Sequence, residues 1–191
     1  MSLLVLGLVV FLGAHVFASL RGARAQVIAR LGENPYRALN SALSLIGFAL
    51  IVWGFSRYRA DGLIVLWTPP FWTRHVTILL MWFAWVSFAL SIPGPSRLRG
   101  WIKHPQLNAV KVWALAHLIA NGDLGGAVLF GVFILWAGYD RYSLRLRGAP
   151  NPPRLDRFAR GDAVALIVGT LAWAAMIALH PLLIGPTVLS F

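Results

Sequence analysis

The chain alternates between long apolar runs and shorter polar connections. The apolar runs lie at residues 3–20, 39–55, 76–92, 107–120, 124–139 and 163–183. Several stretches of seventeen or more residues contain no charged side chain, whereas a soluble protein of this size carries charges on every helix. The pattern predicts an all-α protein, a polytopic transmembrane bundle of about six spans within a single domain covering residues 1–191.

Turn signals define the fourth and fifth runs. Pro105 suits the first turn of a helix, and Gly122 suits its end. The very short connection after it predicts that spans 107–120 and 124–139 form a tight antiparallel hairpin. The apolar part of the fourth run is about 21 Å long, short of the roughly 30 Å bilayer core, so we expect its polar ends to enter headgroups or the protein interior. The basic segment 21–38 is expected to be a loop.

Composition supports a membrane location. The chain is 59% hydrophobic and 12% charged, with a mean hydropathy of +0.72, and this predicts the lipid bilayer as its main partner. The net charge of +11 does not indicate nucleic acid, because the basic residues are spread between the apolar runs. Thirteen of the seventeen Lys and Arg follow the first, third and fifth runs. The positive-inside rule therefore places both termini outside the cytoplasm.

The candidate chemistry is that of histidine. The chain has no cysteine, which excludes thiolate-ligated zinc, iron–sulfur and haem sites. Its five histidines are His15, His75, His104, His117 and His180. Two imidazoles on facing helices are a common haem b site in helical bundles, but a buried histidine equally suits hydrogen bonding between helices. His104 precedes Pro105 and is interpreted mainly as a helix-start residue.

Two of these histidines share a helical face with apolar neighbours. Gly7, Phe11 and His15 have the spacing of one face in the first run. Trp113 lies one turn before His117, and Asn121 lies one turn after it. Asn121 and Asp123 are candidates for orienting the His117 ring, as acceptors that bond a metal-binding histidine.

Three stretches resemble the NnrU family of bacterial multi-pass membrane proteins. They are Gly13-Ala14-His15, residues 30–45 and residues 103–124. The family is named for a link to denitrification and nitric oxide metabolism, and it is similar to zeta-carotene isomerase. The resemblance covers roughly residues 1–140 and implies a location in the bacterial inner membrane.

The resemblance also implies a cofactor. In zeta-carotene isomerase two histidines bind haem b, and by position they correspond to His15 and His117. The isomerase has a cysteine three residues before the second ligand, whereas this chain has Ala114, so a ligand switch through that position is excluded. The expected function is a haem b protein with a redox or nitric-oxide-linked role. The alternatives are a haem-dependent cis-trans isomerase of a polyene or lipid, with a hydrophobic small molecule as partner, and a cofactor-free carrier or assembly factor.

The depths of the two histidines leave a second pairing open. With the termini outside, His15 lies toward the cytoplasmic end of the first span and His117 toward the outer end of the fourth, about 10 Å apart along the membrane normal. Helix tilt can remove this difference. The competing metal ligands are His180 and His75, which lie in the same outer half as His117.

Overall fold

The computed structural model describes residues 1–185 and 188, and over these residues the secondary structure is helical apart from one isolated bridge between Val65 and Asp123. The helices are α1 (Ser2–Ser19), α2 (Arg21–Leu31), α3 (Glu33–Ala60), α4 (Thr73–Ala89), α5 (Arg97–Ile102), α6 (Pro105–Ala120), α7 (Leu124–Leu146) and α8 (Arg160–Leu183). The predicted all-α class is confirmed.

Four of these helices are long and apolar enough to cross a membrane, namely α1, α3, α7 and α8. The other two predicted spans correspond to α4, with 17 residues, and α6, with 16 residues. At 1.5 Å per residue they are about 25 Å and 24 Å long. The six spans and the tight hairpin therefore stay predictions at this point.

The expected loop at residues 21–38 is wrong, because α2 and the start of α3 occupy it. Residues 21–31 contain several good helix formers, among them the alanines Ala23, Ala25 and Ala29. Gly32 separates the two helices with a φ of +87°, a backbone conformation that glycine adopts without strain.

The chain divides into two compact units. The first unit contains residues 1–67 and 123–132, and the second contains residues 68–122 with the described residues from 133 onward. The expected single domain stays a prediction.

In the first unit α1 and α3 pack closely through glycines. A Cβ atom on Gly7 would lie 2.5 Å from the backbone nitrogen of Ile51, and one on Gly47 would lie 2.6 Å from that of Phe11. Gly54 meets the backbone of Leu4 in the same way. Small residues let helix backbones approach in this manner in membrane bundles. A Cβ atom on Gly13, by contrast, would meet no atom of a neighbouring element within 4 Å.

Tyr58 joins the end of α3 to the start of α7 within the first unit. Its ring packs against Gly125, and its hydroxyl accepts a hydrogen bond from the backbone nitrogen of Ile64 at 3.1 Å. The backbone nitrogen of Leu124 donates to the Ile64 carbonyl at 2.9 Å. Residues 61–67 are thereby held against the first turn of α7.

In the second unit α4 packs between α6 and α8. Thr77 donates to the carbonyl of Ala116 at 2.9 Å, and Ser87 donates to that of Pro105 at 3.0 Å, so α4 and α6 run antiparallel. On the other side the Trp82 indole donates to the Thr170 hydroxyl at 2.9 Å, and the Trp173 indole donates to the Ile78 carbonyl at 3.0 Å.

Asp162 connects the start of α8 to the start of α5, also in the second unit. Its carboxylate is 0% exposed and accepts hydrogen bonds from the Ser96 hydroxyl at 2.6 Å and from the backbone nitrogens of Arg97 and Leu98. The backbone nitrogen of Ala159 donates to it at 2.8 Å. A buried carboxylate needs such donors, because without them its desolvation is strongly unfavourable.

Candidate functional site

His15 is presented by α1 with its ring orientation set by the helix itself. Its Nδ1 lies 2.7 Å from the carbonyl oxygen of Phe11, one turn earlier. A carbonyl oxygen only accepts, so Nδ1 carries the hydrogen and donates. The ring stacks on that of Phe11 with the centroids 4.3 Å apart, and the side chain is half-buried.

His117 is presented by α6 in the same way. Its Nδ1 donates to the carbonyl oxygen of Trp113 at 2.9 Å, again one turn earlier. The Trp113 and His117 ring centroids are 5.5 Å apart, and Trp113 meets Phe133 edge-on at 5.4 Å. The shared face predicted for Trp113 and His117 agrees with these contacts.

This arrangement fits an imidazole that binds a metal. When Nδ1 holds the proton, the lone pair of a neutral imidazole lies on Nε2. Histidines that bind metals commonly donate their other nitrogen to a carbonyl or carboxylate, which sets the tautomer and the direction of the ring. Both residues named by the family resemblance, His15 and His117, have this hydrogen bond together with an aromatic neighbour four positions earlier.

His15 belongs to the first unit and His117 to the second. His180 on α8 belongs to the second unit together with His117. His75 is exposed near the start of α4, where its ring meets Phe71 edge-on at 5.3 Å. Both competing ligands, His75 and His180, belong to the same unit as His117 and stay predictions.

The other candidate residues between positions 103 and 124 make local contacts. His104 lies directly before α6, whose first residue is Pro105, so its predicted helix-start role is confirmed. The Asn121 amide donates to the backbone carbonyl of His117 at 2.7 Å. Asp123 accepts from the backbone nitrogen of Gly126 at 2.8 Å and so caps α7. An orienting role of Asn121 and Asp123 toward the His117 ring stays a prediction.

Ala114, the position of the isomerase cysteine, is 0% exposed on α6. It lies between Trp113 and His117 in sequence, but its methyl group points into packed protein. The alanine side chain offers no ligand atom.

The second unit also contains an apolar cavity of about 330 Å³ between α4 and α8. Its lining includes Trp85, Phe88 and Ala172. Two buried polar atoms of lining residues, the Trp85 indole nitrogen and the Ser91 hydroxyl oxygen, have no hydrogen-bond partner. The sequence did not predict this cavity. A helix surface that faces lipid, protein or a bound hydrophobic molecule has the same apolar composition in each case.

The helices and the composition define the class of the protein. A chain whose described residues are helical, with four apolar helices long enough to cross a bilayer, is an integral membrane protein.

The family follows from a direct comparison. The family model described as NnrU protein matches residues 3–188, nearly the whole chain, and the protein therefore belongs to the NnrU family. The expected membership is confirmed over a longer range than the three stretches that suggested it. Neither the curated proteins nor the solved structures contain a match to the chain.

Proposed function

We propose that this protein binds haem b in the bacterial inner membrane, where His15 and His117 would hold the haem iron, and that it has a redox or nitric-oxide-linked role. The observation that carries the proposal is the repeated arrangement of the two imidazoles. Each Nδ1 donates to the carbonyl four residues earlier, at 2.7 Å for His15 and 2.9 Å for His117. Membership of the NnrU family supports the same pair.

A haem held by two imidazoles supplies one-electron oxidation and reduction. The contribution of the chain is to hold each ring in one tautomer and one direction. The Phe11 and Trp113 carbonyls do this through Nδ1, and their aromatic rings limit rotation of the imidazoles. Both devices lie on regular helices, which position ligands more accurately than loops do.

The second candidate function is cis-trans isomerisation of a polyene or other lipid. The apolar cavity beside Trp85 favours it, because such a cavity accepts a hydrophobic molecule and its two unpartnered polar groups can orient one. The absence of a ligand atom at Ala114 argues against a mechanism that needs the isomerase cysteine. A cofactor-free carrier or assembly factor is the third possibility.

We further propose six spans with both termini outside the cytoplasm. The backbone nitrogen of Gly161 donates to the Pro95 carbonyl at 3.0 Å, and Asp162 binds Ser96. The segment after α4 is thus at the same end as the start of α8, while Ile78 meets Trp173 further along α8. Because α4 runs beside a membrane-length helix, it also crosses the membrane, and α6 returns alongside it.

Haem content tests the proposal. We expect the protein purified in mild detergent to show a Soret band, and a pyridine haemochrome assay to identify haem b. The His15→Ala and His117→Ala variants lose a ligand, so each should lose most of the haem, by at least about tenfold. His75→Ala and His104→Ala are the matched controls and should keep the wild-type haem content.

The His180→Ala variant separates the two ligand pairs. Loss of haem in His180→Ala with full retention in His15→Ala would replace the proposed pair by His117 and His180. A folded, colourless wild-type protein that takes up no added haemin would contradict haem binding and favour the cofactor-free alternative.

A further inference from the structure

A basic cavity of about 600 Å³ lies within the second unit, apart from the histidine pair. Its polar lining residues are Lys103, His104, Arg141, Arg145 and Asn151. They come from the connection between α5 and α6, the last turns of α7 and the segment that follows α7. Lys103 is therefore gathered around one concave space with Arg141 and Arg145, which lie one turn apart on a different part of the chain, α7.

The positive charge of this cavity is not neutralised by nearby acids. In the part of the chain that the structure describes, the ion pairs are Arg37 with Glu33 and Arg147 with Asp140. The acid closest in sequence, Asp140, is thus engaged by Arg147, which does not line the cavity. Lys103, Arg141 and Arg145 keep an excess of positive charge that an anion can satisfy.

The pKa of His104 is affected by its burial and by the charges around the cavity. Burial lowers its pKa below the ordinary value, the positive charge of Arg141 lowers it further, and Lys103 acts in the same direction against the opposing effect of Asp140. The imidazole is therefore neutral at pH 7 and available as a hydrogen-bond donor.

The backbone at Lys103 is strained. Its φ is +66° and its ψ is −53°, and the backbone nitrogen of His104 donates to the Ile102 carbonyl at 2.8 Å. These values describe a γ-turn of the rare form, which is unfavourable for a residue other than glycine. Such strain is found most often where a side chain is held for a function.

The position of the cavity indicates the source of the anion. Trp101, two residues before Lys103, is 64% exposed, and the Arg97 guanidinium lies 5.2 Å from its ring centroid. Exposed tryptophans next to basic residues are typical of the headgroup level of a bilayer. Leu98 and Ile102 on α5 pack against the protein core, while Trp101 on the same helix is exposed.

We propose that this cavity binds the phosphate group of an anionic phospholipid. Arg141 and Arg145 supply the charged donors, and Lys103, His104 and Asn151 supply further donors around the same space. In the six-span topology this site faces the cytoplasmic leaflet.

The test compares lipids of matched chain length. Dioctanoyl-phosphatidylglycerol, dioctanoyl-phosphatidylcholine and inorganic phosphate are titrated separately into the full-length protein in non-ionic detergent, and bound molecules are counted by native mass spectrometry. We expect phosphatidylglycerol to bind at one site. We expect the Arg141→Gln/Arg145→Gln variant to bind it at least about tenfold more weakly, with a smaller effect of salt than in the wild type.

The matched control removes the same charge elsewhere. Arg21→Gln/Arg30→Gln changes two exposed arginines on α2 and should bind phosphatidylglycerol like the wild type. If the double cavity variant does not fold, the single change at exposed Arg145, Arg145→Gln, is measured instead. Equal binding of phosphatidylcholine, equal binding of inorganic phosphate, or equal losses in the cavity and control variants would each overturn the proposal.

Discussion

Individual neighbouring residues determine how the rings of His15 and His117 are oriented. The sequence predicts which residues share a helical face with each histidine, but not the hydrogen bond that orients its ring. The spacing of Phe11 with His15 and of Trp113 with His117 is visible in the sequence and predicts a shared helical face. The hydrogen bond from Nδ1 to the carbonyl one turn earlier depends on the side-chain rotamer. The rotamer is set by the packing of neighbouring side chains, and the spacing of residues along the sequence gives no information about that packing.

Asp162 is the residue that the sequence analysis missed. A single acid at the start of an apolar run resembles an ordinary helix-start residue, and one of its bonds, from the Ala159 nitrogen, is local. Its bonds to Ser96, Arg97 and Leu98 join positions more than sixty residues apart in sequence. A pattern read along the chain does not contain such pairs.

At this scale we predict that Asp162→Asn destabilises the protein by roughly 2–4 kcal/mol. The amide nitrogen of Asn replaces one accepting oxygen by a donor, so one backbone nitrogen of α5, that of Arg97 or that of Leu98, loses its acceptor. The measurement is the midpoint of SDS-induced unfolding in mixed micelles, followed by tryptophan fluorescence. Asp156→Asn, at an exposed position, should change stability by less than about 0.5 kcal/mol. Equal effects of both variants would contradict the assigned role of Asp162.

Helices were predictable where the apolar pattern is long, and α1, α4, α6 and α8 occur close to their predicted bounds. The pattern failed at α2, whose basic residues were interpreted as a loop, and at α5, which has only six residues. The start of α5 depends on Ser96, whose hydroxyl accepts from the Arg99 backbone nitrogen at 3.0 Å. Helix propensity and capping decide these two helices, and both signals are weak beside hydrophobicity.

Two glycines on α1 give opposite predictions. Gly7→Ala places a methyl group 2.5 Å from the Ile51 backbone nitrogen, and because a backbone cannot move aside locally, we expect a loss of about 1–3 kcal/mol. Gly13→Ala places its methyl group in open space and should stabilise the helix by up to about 1 kcal/mol. Unfolding of both variants in the same detergent measures the difference, and a loss of stability in Gly13→Ala equal to that in Gly7→Ala would contradict the packing of α1 against α3.

For the whole molecule, the composition predicted an integral membrane protein, and the distribution of basic residues predicted the proposed orientation. The number of spans can be argued only with the contacts between helices in the second unit. By length and composition α4 and α6 are marginal spans. The antiparallel contacts of α4 with α6 on one side and with α8 on the other support six crossings, because the Pro95 carbonyl, after the end of α4, accepts from the backbone nitrogen of Gly161 at the start of α8. Hydropathy alone cannot separate a short span from a buried helix.

The absence of cysteine makes the topology testable without a background. Three single-cysteine variants at exposed positions, Leu63→Cys, Pro95→Cys and Asn151→Cys, are treated with a membrane-impermeant maleimide in intact spheroplasts. With six spans only Leu63→Cys should be labelled, and the other two should react after lysis. Pro95→Cys decides the number of spans, since a four-span chain would expose it to the outside. Its labelling in intact spheroplasts would contradict six spans.

The most direct test of the central claim, haem ligation by His15 and His117, is the low-temperature electron paramagnetic resonance spectrum of the ferric protein. Two axial imidazoles give a low-spin signal, and removal of either ligand converts the iron to a high-spin form. We predict a low-spin spectrum for the wild type and a high-spin spectrum for whatever haem remains in His15→Ala. An unchanged low-spin spectrum in His15→Ala, or a high-spin spectrum in the wild type, would contradict the account.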